Sequence, residues 1–119
     1  MGRAQDLAAL LRAHRMPQAT ERQLQDATAK VLARSAVAFS REHRLSTTER
    51  PDFFVAPGVC VEVKVGGPSS EVLRQLARYA EHDVVEELLL VTTRRTHDVM
   101  PAEVCGKPLT TVCVGSAFL

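Results

Sequence analysis

The stretch "RPDFFVAPGVCVEVKV", residues 50–65, decides the fold because it has the pattern of a buried hairpin yet carries charges inside it. Its centre, "APG" at 56–58, is typical of a turn, and the flanking runs alternate as strands do. With the turn at Pro57, Phe54 should face Cys60 across the hairpin. A slip of one residue would move every side chain to the opposite face.

Three charged residues of this hairpin, Asp52, Glu62 and Lys64, are expected on one face at its open end. Opposed side chains have β-carbons about 4.5–5.5 Å apart, where two carboxylates repel each other. A sequence keeps such a pair where a cation lies between them, or where one carboxyl is protonated for chemistry. Oxygen ligands at this spacing suit Mg²⁺, with Mn²⁺ as a substitute. We therefore predict a metal site, with Lys64 able to orient water or stabilise charge on a phosphate.

The remainder of the chain alternates helical and strand-like patterns. Leu7, Leu10 and Leu11 form a helical stripe, and "TERQ" at 20–23 has the form of a capping box that begins a second helix. The later predicted elements are a strand at 37–45, the two hairpin strands, a helix from Ser69 or Ser70 to about His82, a strand at 87–93, a loop or short helix at 97–108, and a final edge strand at 109–115.

This order predicts an α/β protein, a mixed sheet flanked by helices, in one domain spanning residues 1–119. No apolar run approaches the ~18 residues of a membrane span. The first fifteen residues, "MGRAQDLAALLRAHR", lack the apolar core of a signal peptide. We therefore expect a cytoplasmic protein, of a bacterial or phage-infected cell, without membrane contact.

The cysteines and histidines give little sign of a metal or disulfide site. The three cysteines have no CxxC spacing, so neither a disulfide framework nor a zinc site is expected. Cys60 and Cys113 lie in apolar strand-like runs, which favours buried, inert thiols. The four histidines lack a regular ligand spacing.

Charge is distributed unevenly along the chain. Residues 1–50 contain nine Lys and Arg against five Asp and Glu, whereas residues 51–119 contain six against nine. A basic half beside an acidic half suits a polyanionic partner. An ordinary solvated surface gives the same distribution, so the pattern alone does not decide between them.

The hairpin resembles the active site of the PD-(D/E)xK nuclease superfamily, which has the restriction-endonuclease-like fold. Here the motif is Pro51-Asp52, nine residues, then Glu62-Val63-Lys64. The order helix, three strands, helix, strand over residues 20–92 matches that core, with the N-terminal helix and C-terminal strand as extensions. The resemblance implies a Mg²⁺-dependent DNA endonuclease in which Asp52 and Glu62 bind metal, the Val63 carbonyl is a further ligand and Lys64 is catalytic. Its products would carry a 5′-phosphate and a 3′-hydroxyl.

Two further features agree with the resemblance. Glu21 begins the first core helix, where archaeal Holliday junction resolvases carry an acid, and would bind metal directly or through water; alternatively it is a first-turn glutamate favoured by the helix dipole. Gln75 and Tyr79 in "QLARY" resemble the QxxxY motif of RecB-like nucleases, where the glutamine reaches toward the active site and the nucleic acid. The resemblance implies that Gln75 is catalytic and that Tyr79 contacts the nucleic acid; alternatively, Gln75 is a solvated helix residue and Tyr79 a core aromatic.

Several basic residues are candidate contacts to the nucleic-acid backbone. Simple solvation is the alternative for all of them. They are Arg41, Arg44 and Arg50 before the hairpin, Arg74 and Arg78 on the motif helix, and Arg94, Arg95 and His97 after the long strand.

The predicted function is hydrolysis of DNA phosphodiester bonds, with a structure-specific, Holliday junction resolvase-like homodimer first and a general phage or repair nuclease second. No separate sequence-reading element is evident, which argues against site-specific cleavage. A non-catalytic DNA- or protein-binding module of the same fold is the alternative from another class. A third possibility, an unrelated α/β domain with coincidental charges, predicts that Asp52 and Glu62 lie far apart or on opposite faces.

Overall fold

Three helices and six strands are present in the computed structural model, which describes residues 2–14, 16, 20–94, 97 and 99–114. Among these residues, no helix combines the length and the apolar character needed to cross a membrane. In chain order the elements are α1 (Arg3–Arg12), α2 (Glu21–Arg34), β1 (Phe39–Arg41), β2 (Phe53–Val55), β3 (Val59–Lys64), α3 (Ser69–Ala80), β4 (Glu87–Thr92), β5 (Glu103–Val104) and β6 (Lys107–Cys113).

The strands form one mixed sheet in the order β1-β2-β3-β4-β6-β5. β1, β2 and β3 are antiparallel neighbours, β3, β4 and β6 are parallel, and β5 pairs antiparallel with β6. α3 makes the crossover from β3 to β4 that a parallel pair requires. The predicted α/β class, with a mixed sheet flanked by helices, is confirmed.

The hairpin of β2 and β3 has the predicted register. Phe54 pairs with Cys60, and continuing this register places Asp52 beside Glu62, to whose Oε1 the Asp52 N–H donates at 3.4 Å. Glycine suits the turn at position 58, since a Cβ there would lie 2.7 Å from the side chain of Glu86. The turn thus fixes which face receives the charged residues.

Each face of the sheet has its own core. The valines at 59, 61 and 63 belong to the cluster that contains the buried residues of α1 and α2, such as Leu11 and Leu24. Cys60 belongs to the cluster on the other face, with Leu76 and Tyr79 of α3. Cys60 is fully buried, and this burial raises the pKa of its thiol, as expected of an inert cysteine. Cys113, in contrast, is only half-buried.

The prediction for the C-terminal part of the sheet was wrong in two respects. The segment 97–108, predicted as loop or short helix, contains β5, and β6 lies between β4 and β5 rather than at the edge. Cys105 and Gly106, with φ of 51° and 77°, turn the chain back onto β6. A two-residue strand is too short to leave a hydrophobic alternation in the sequence.

Three predicted boundaries also differ from the structure. The strand predicted at 37–45 is only Phe39–Arg41, since Glu42 adopts a left-handed φ of 49° and ends it. α3 ends at Ala80, and its N-cap is Pro68 rather than a serine. By contrast, the capping box at 20–23 is confirmed, with the Gln23 N–H donating to Thr20 Oγ1 at 3.1 Å and the Thr20 N–H donating to Gln23 Oε1, also at 3.1 Å.

Candidate functional site

The three charged residues of the hairpin come together at its open end. Lys64 Nζ lies 3.4 Å from Glu62 Oε2, and Glu62 Oε1 accepts from the backbone N–H of Asp52. Glu62 is 3% exposed, so its carboxyl group is held inside the fold. This arrangement contradicts what coincidental charges predict, namely Asp52 and Glu62 far apart or on opposite faces.

The glutamine and tyrosine of α3 connect to this group through hydrogen bonds. The Tyr79 hydroxyl donates to Glu62 Oε1 at 3.2 Å, and Gln75 Nε2 donates to the Tyr79 oxygen at 2.8 Å. Residues four apart face the same side of a helix, which is why Gln75 can bond the Tyr79 side chain that reaches the strand. Because Tyr79 is 1% exposed, its position supports holding Glu62 rather than the predicted contact with nucleic acid.

Asp52 is held by two donors from different elements. Its Oδ2 accepts the Val63 N–H at 2.7 Å, and its Oδ1 accepts Gln25 Nε2 at 3.0 Å. Sequence reasoning missed Gln25. Gln25 follows Glu21 by one turn and so shares its face of α2, but this spacing alone does not show that the glutamine points toward Asp52.

Glu21 lies beside the carboxyl end of β3, where its Oε1 accepts the Val65 N–H at 3.4 Å. Its charge also raises the pKa of Asp52, so the two carboxylates interact. Within the described ranges, however, no three Asp, Glu, His or Cys side chains form a group arranged to hold a metal ion. A direct bond from Glu21 to a metal therefore stays a prediction.

The protonation of the two hairpin carboxylates is set mainly by burial. Burial raises the pKa of Asp52 to about 6, and the charge of Glu21 acts in the same direction. Burial raises the pKa of Glu62 to about 8, and the charge of Asp52 adds to this. Lys64 lowers both. Without a further cation the pair therefore retains a proton near neutral pH, whereas a bound cation would favour the fully ionised form.

The donor chemistry of this site fits a hard divalent cation. Asp52 and Glu62 offer only oxygen, which Mg²⁺ and Mn²⁺ prefer. An ionised carboxylate has about four lone-pair sites, so the hydrogen bonds to Gln25, Tyr79 and the backbone leave acceptor capacity on both groups. The carbonyl of Val63 remains a predicted additional ligand.

Two adjoining cavities open beside these residues. The first, here called the lysine cavity, has a volume of about 320 Å³ and lies between the end of β3 and α3. The second, the loop cavity, has a volume of about 260 Å³ and lies between α3 and the loop before the hairpin. Both are lined by Gln75 and Arg78. The lysine cavity is also lined by Lys64, Gly66, Gly67, Glu71, Val72 and Arg74, and the loop cavity by Arg44, Ser46, Thr47, Thr48, Glu49, Arg50 and Tyr79.

Of the five predicted arginines that precede β4, four line these cavities and Arg41 does not. Arg41 pairs with Asp26 of α2 at 3.0 Å and lies over the ring of Phe53, which belongs to the core cluster of α1 and α2. Arg41 lines neither cavity, so its predicted phosphate contact is not part of this group of arginines.

Of the basic residues after β4, Arg94 is exposed and Arg95 lies outside the described residues. The predicted phosphate contact of His97 is wrong, because this side chain is fully buried. It lies between Thr92 Oγ1, at 2.8 Å, and the Gly67 carbonyl, at 3.2 Å. The histidine thus joins β4 to the turn that lines the lysine cavity.

No protein-family model, curated protein or solved structure matches this chain. The site is therefore known from the chain's own geometry alone. The resemblance to the PD-(D/E)xK superfamily therefore stays a prediction that depends on the residues of the hairpin and of α3.

Proposed function

We propose that this protein is a metal-dependent DNA endonuclease with a restriction-endonuclease-like core. The observation that carries the proposal is the meeting of Asp52, Glu62 and Lys64 at the open end of one hairpin, with Glu62 buried. Burying two neighbouring acids is costly unless a cation or a proton compensates for it. The order α2, β1, β2, β3, α3, β4 is also compatible with that core.

Asp52 and Glu62 would hold Mg²⁺ or Mn²⁺, with the Val63 carbonyl and Glu21 as further ligands. The ion would supply Lewis acidity to the scissile phosphate. Val63 N–H and Gln25 fix the orientation of the Asp52 carboxylate, while Tyr79 fixes that of Glu62. Preorganised donors of this kind remove the need to reorganise the site during reaction.

Lys64 is the residue we assign to the attacking side of the reaction. Its side chain is half-buried and lines the lysine cavity, and its ammonium group lies 3.4 Å from Glu62. From there it donates hydrogen bonds to the attacking water or to a phosphate oxygen as negative charge develops. Gln75, in the same cavity, positions water or substrate with its amide group.

For the substrate we propose branched DNA, cut by a homodimer in the manner of a Holliday junction resolvase. The experiment compares a four-way junction, a flap, a linear duplex and a single strand with Mg²⁺ at equal concentrations. Selective cleavage of the junction supports the resolvase-like role. Equal cleavage of every substrate supports a general nuclease instead, and tight binding without cleavage in Mg²⁺ or Mn²⁺ supports the non-catalytic module.

A further inference from the structure

The loop before the hairpin is fastened through Glu49 to the segment that follows α3, and through that segment to the sheet. The Glu49 carboxylate contacts His82 Nε2 at 2.9 Å and accepts from the Ser46 and Thr48 hydroxyls at 3.3 and 3.2 Å. Lys107 Nζ donates to the His82 carbonyl at 2.8 Å, which ties this corner to β6. One wall of the loop cavity is therefore built by specific contacts.

The loop cavity has more cationic groups than its single acid can neutralise. Arg44, Arg50 and Arg78 line it, against Glu49 alone. Glu49 already contacts His82 and two hydroxyls, and its distance to Arg78 Nε is a long 3.9 Å. In the described part of the chain, neither Arg44 nor Arg50 has a side-chain hydrogen bond or an ion pair. Their guanidinium groups are therefore free to bind an anion.

The chemistry and size of the loop cavity suit a phosphate group. Guanidinium groups bind phosphate oxygens in paired hydrogen bonds, and the Thr47 side chain adds a hydroxyl at the same wall. Its volume of about 260 Å³ lies below the ~300–1,000 Å³ of pockets for drug-sized ligands. The cavity adjoins the lysine cavity through Gln75 and Arg78.

We propose that the loop cavity binds a second phosphate group of the substrate strand, next to the phosphate that lies at Lys64. The strand would pass from the lysine cavity across Gln75 and Arg78 into the loop cavity. This inference rests on the proposed function, because it takes the lysine cavity as the place of cleavage. The group bound is either an internal phosphodiester or a terminal phosphate, which share the same anionic oxygens.

The test measures DNA binding by fluorescence anisotropy at several salt concentrations, using Lys64→Ala protein so that bound DNA stays intact. Arg44→Gln and Arg50→Gln are added singly and together, and Arg34→Gln on the exposed part of α2 is the control. We expect each cavity variant to weaken binding about 5- to 10-fold and to reduce the salt slope by roughly 0.7–0.9, the value for one lost phosphate contact. The control should change binding less than about twofold.

Modified DNA then distinguishes the two sources of phosphate. The first DNA carries a methylphosphonate at one internal position. If it abolishes the difference in DNA affinity between the parent and the double variant, the bound group is a phosphodiester. If the difference in affinity is seen only with DNA that has a 5′-phosphorylated end, the bound group is a terminal phosphate. If the double variant binds like its parent at every salt concentration, the inference is overturned and the proposed function is not. If the parent itself binds no DNA, both are overturned.

Discussion

The hydroxyl of Tyr79 donates a 3.2 Å hydrogen bond to Oε1 of Glu62, a carboxylate that is only 3% exposed. This contact links the helix that carries the QxxxY-like motif to the strand that carries Glu-x-Lys. It lowers the pKa of Glu62 against the larger effect of burial, which raises it. Tyr79 therefore helps to keep Glu62 ionised for the proposed metal.

Tyr79→Phe removes this hydrogen bond and leaves the ring in the core. We expect the pKa of Glu62 to rise, so the acidic limb of the pH–rate profile should move to higher pH, and activity at pH 7 should fall about 10-fold. Stability should fall by roughly 1 kcal/mol. If the pH profile is unchanged while stability falls by the same amount, Tyr79 contributes to the core and not to the ionisation of Glu62.

Asp52→Asn should alter the dependence of stability on pH in metal-free protein. The pKa of Asp52 is raised from 3.8 to about 6 in the folded state, so folded protein binds this proton more tightly than unfolded protein. Through this group, wild-type stability should therefore decline as pH rises from about 4 to about 6 and then level off. The asparagine variant should be more stable than wild type by on the order of 1 kcal/mol at pH 8, and by almost nothing near pH 4. Urea unfolding in EDTA measures this, and a difference that is the same at both pH values would refute it.

Metal binding should appear as stabilisation of the folded protein. A cation that binds only the folded state stabilises it by about 2.7 kcal/mol at 100 times its Kd, so Mg²⁺ or Mn²⁺ should raise the Tm of wild type. Glu62→Gln should lose this increase because it removes a proposed ligand. The exposed Glu81→Gln, at the C-cap of α3, is the control and should retain it. Equal Tm increases in both variants would place the cation elsewhere.

Gln25→Ala tests a residue that acts through Asp52. Loss of the 3.0 Å hydrogen bond should raise the pKa of Asp52 and leave its carboxylate less well oriented. We expect the Mg²⁺ concentration for half-maximal activity to rise about 3- to 10-fold, while activity at saturating Mg²⁺ stays close to wild type. Lys30→Ala, exposed on the same helix, should leave the Mg²⁺ dependence unchanged. A loss of activity that Mg²⁺ does not restore would contradict a positioning role.

The main features of the fold follow from local patterns that the sequence contains. The alternating valines of β3 and the turn at residues 56–58 determine the hairpin register, and the capping box at 20–23 determines where α2 begins. These signals are short-range, so a single sequence carries them. The meeting of Asp52 with Glu62 followed directly from that register.

Other features depend on contacts between segments distant in sequence and left no local signal. Gln25 reaches Asp52 across 27 positions, and His97 reaches Gly67 across 30. Neither a helical glutamine nor a histidine after a strand shows by its spacing whether it points inward. β5 exists only because β6 lies beside it.

The most direct test of the central claim is DNA cleavage in Mg²⁺ by wild type and by Lys64→Ala, with Lys30→Ala as the matched control. The proposed function predicts that wild type and the control cleave DNA at similar rates, that EDTA stops both, and that Lys64→Ala is at least about 100-fold slower with its fold and Tm preserved. Cleavage by Lys64→Ala at the wild-type rate, or no cleavage by wild type with Mg²⁺ or Mn²⁺ on any substrate, would contradict it.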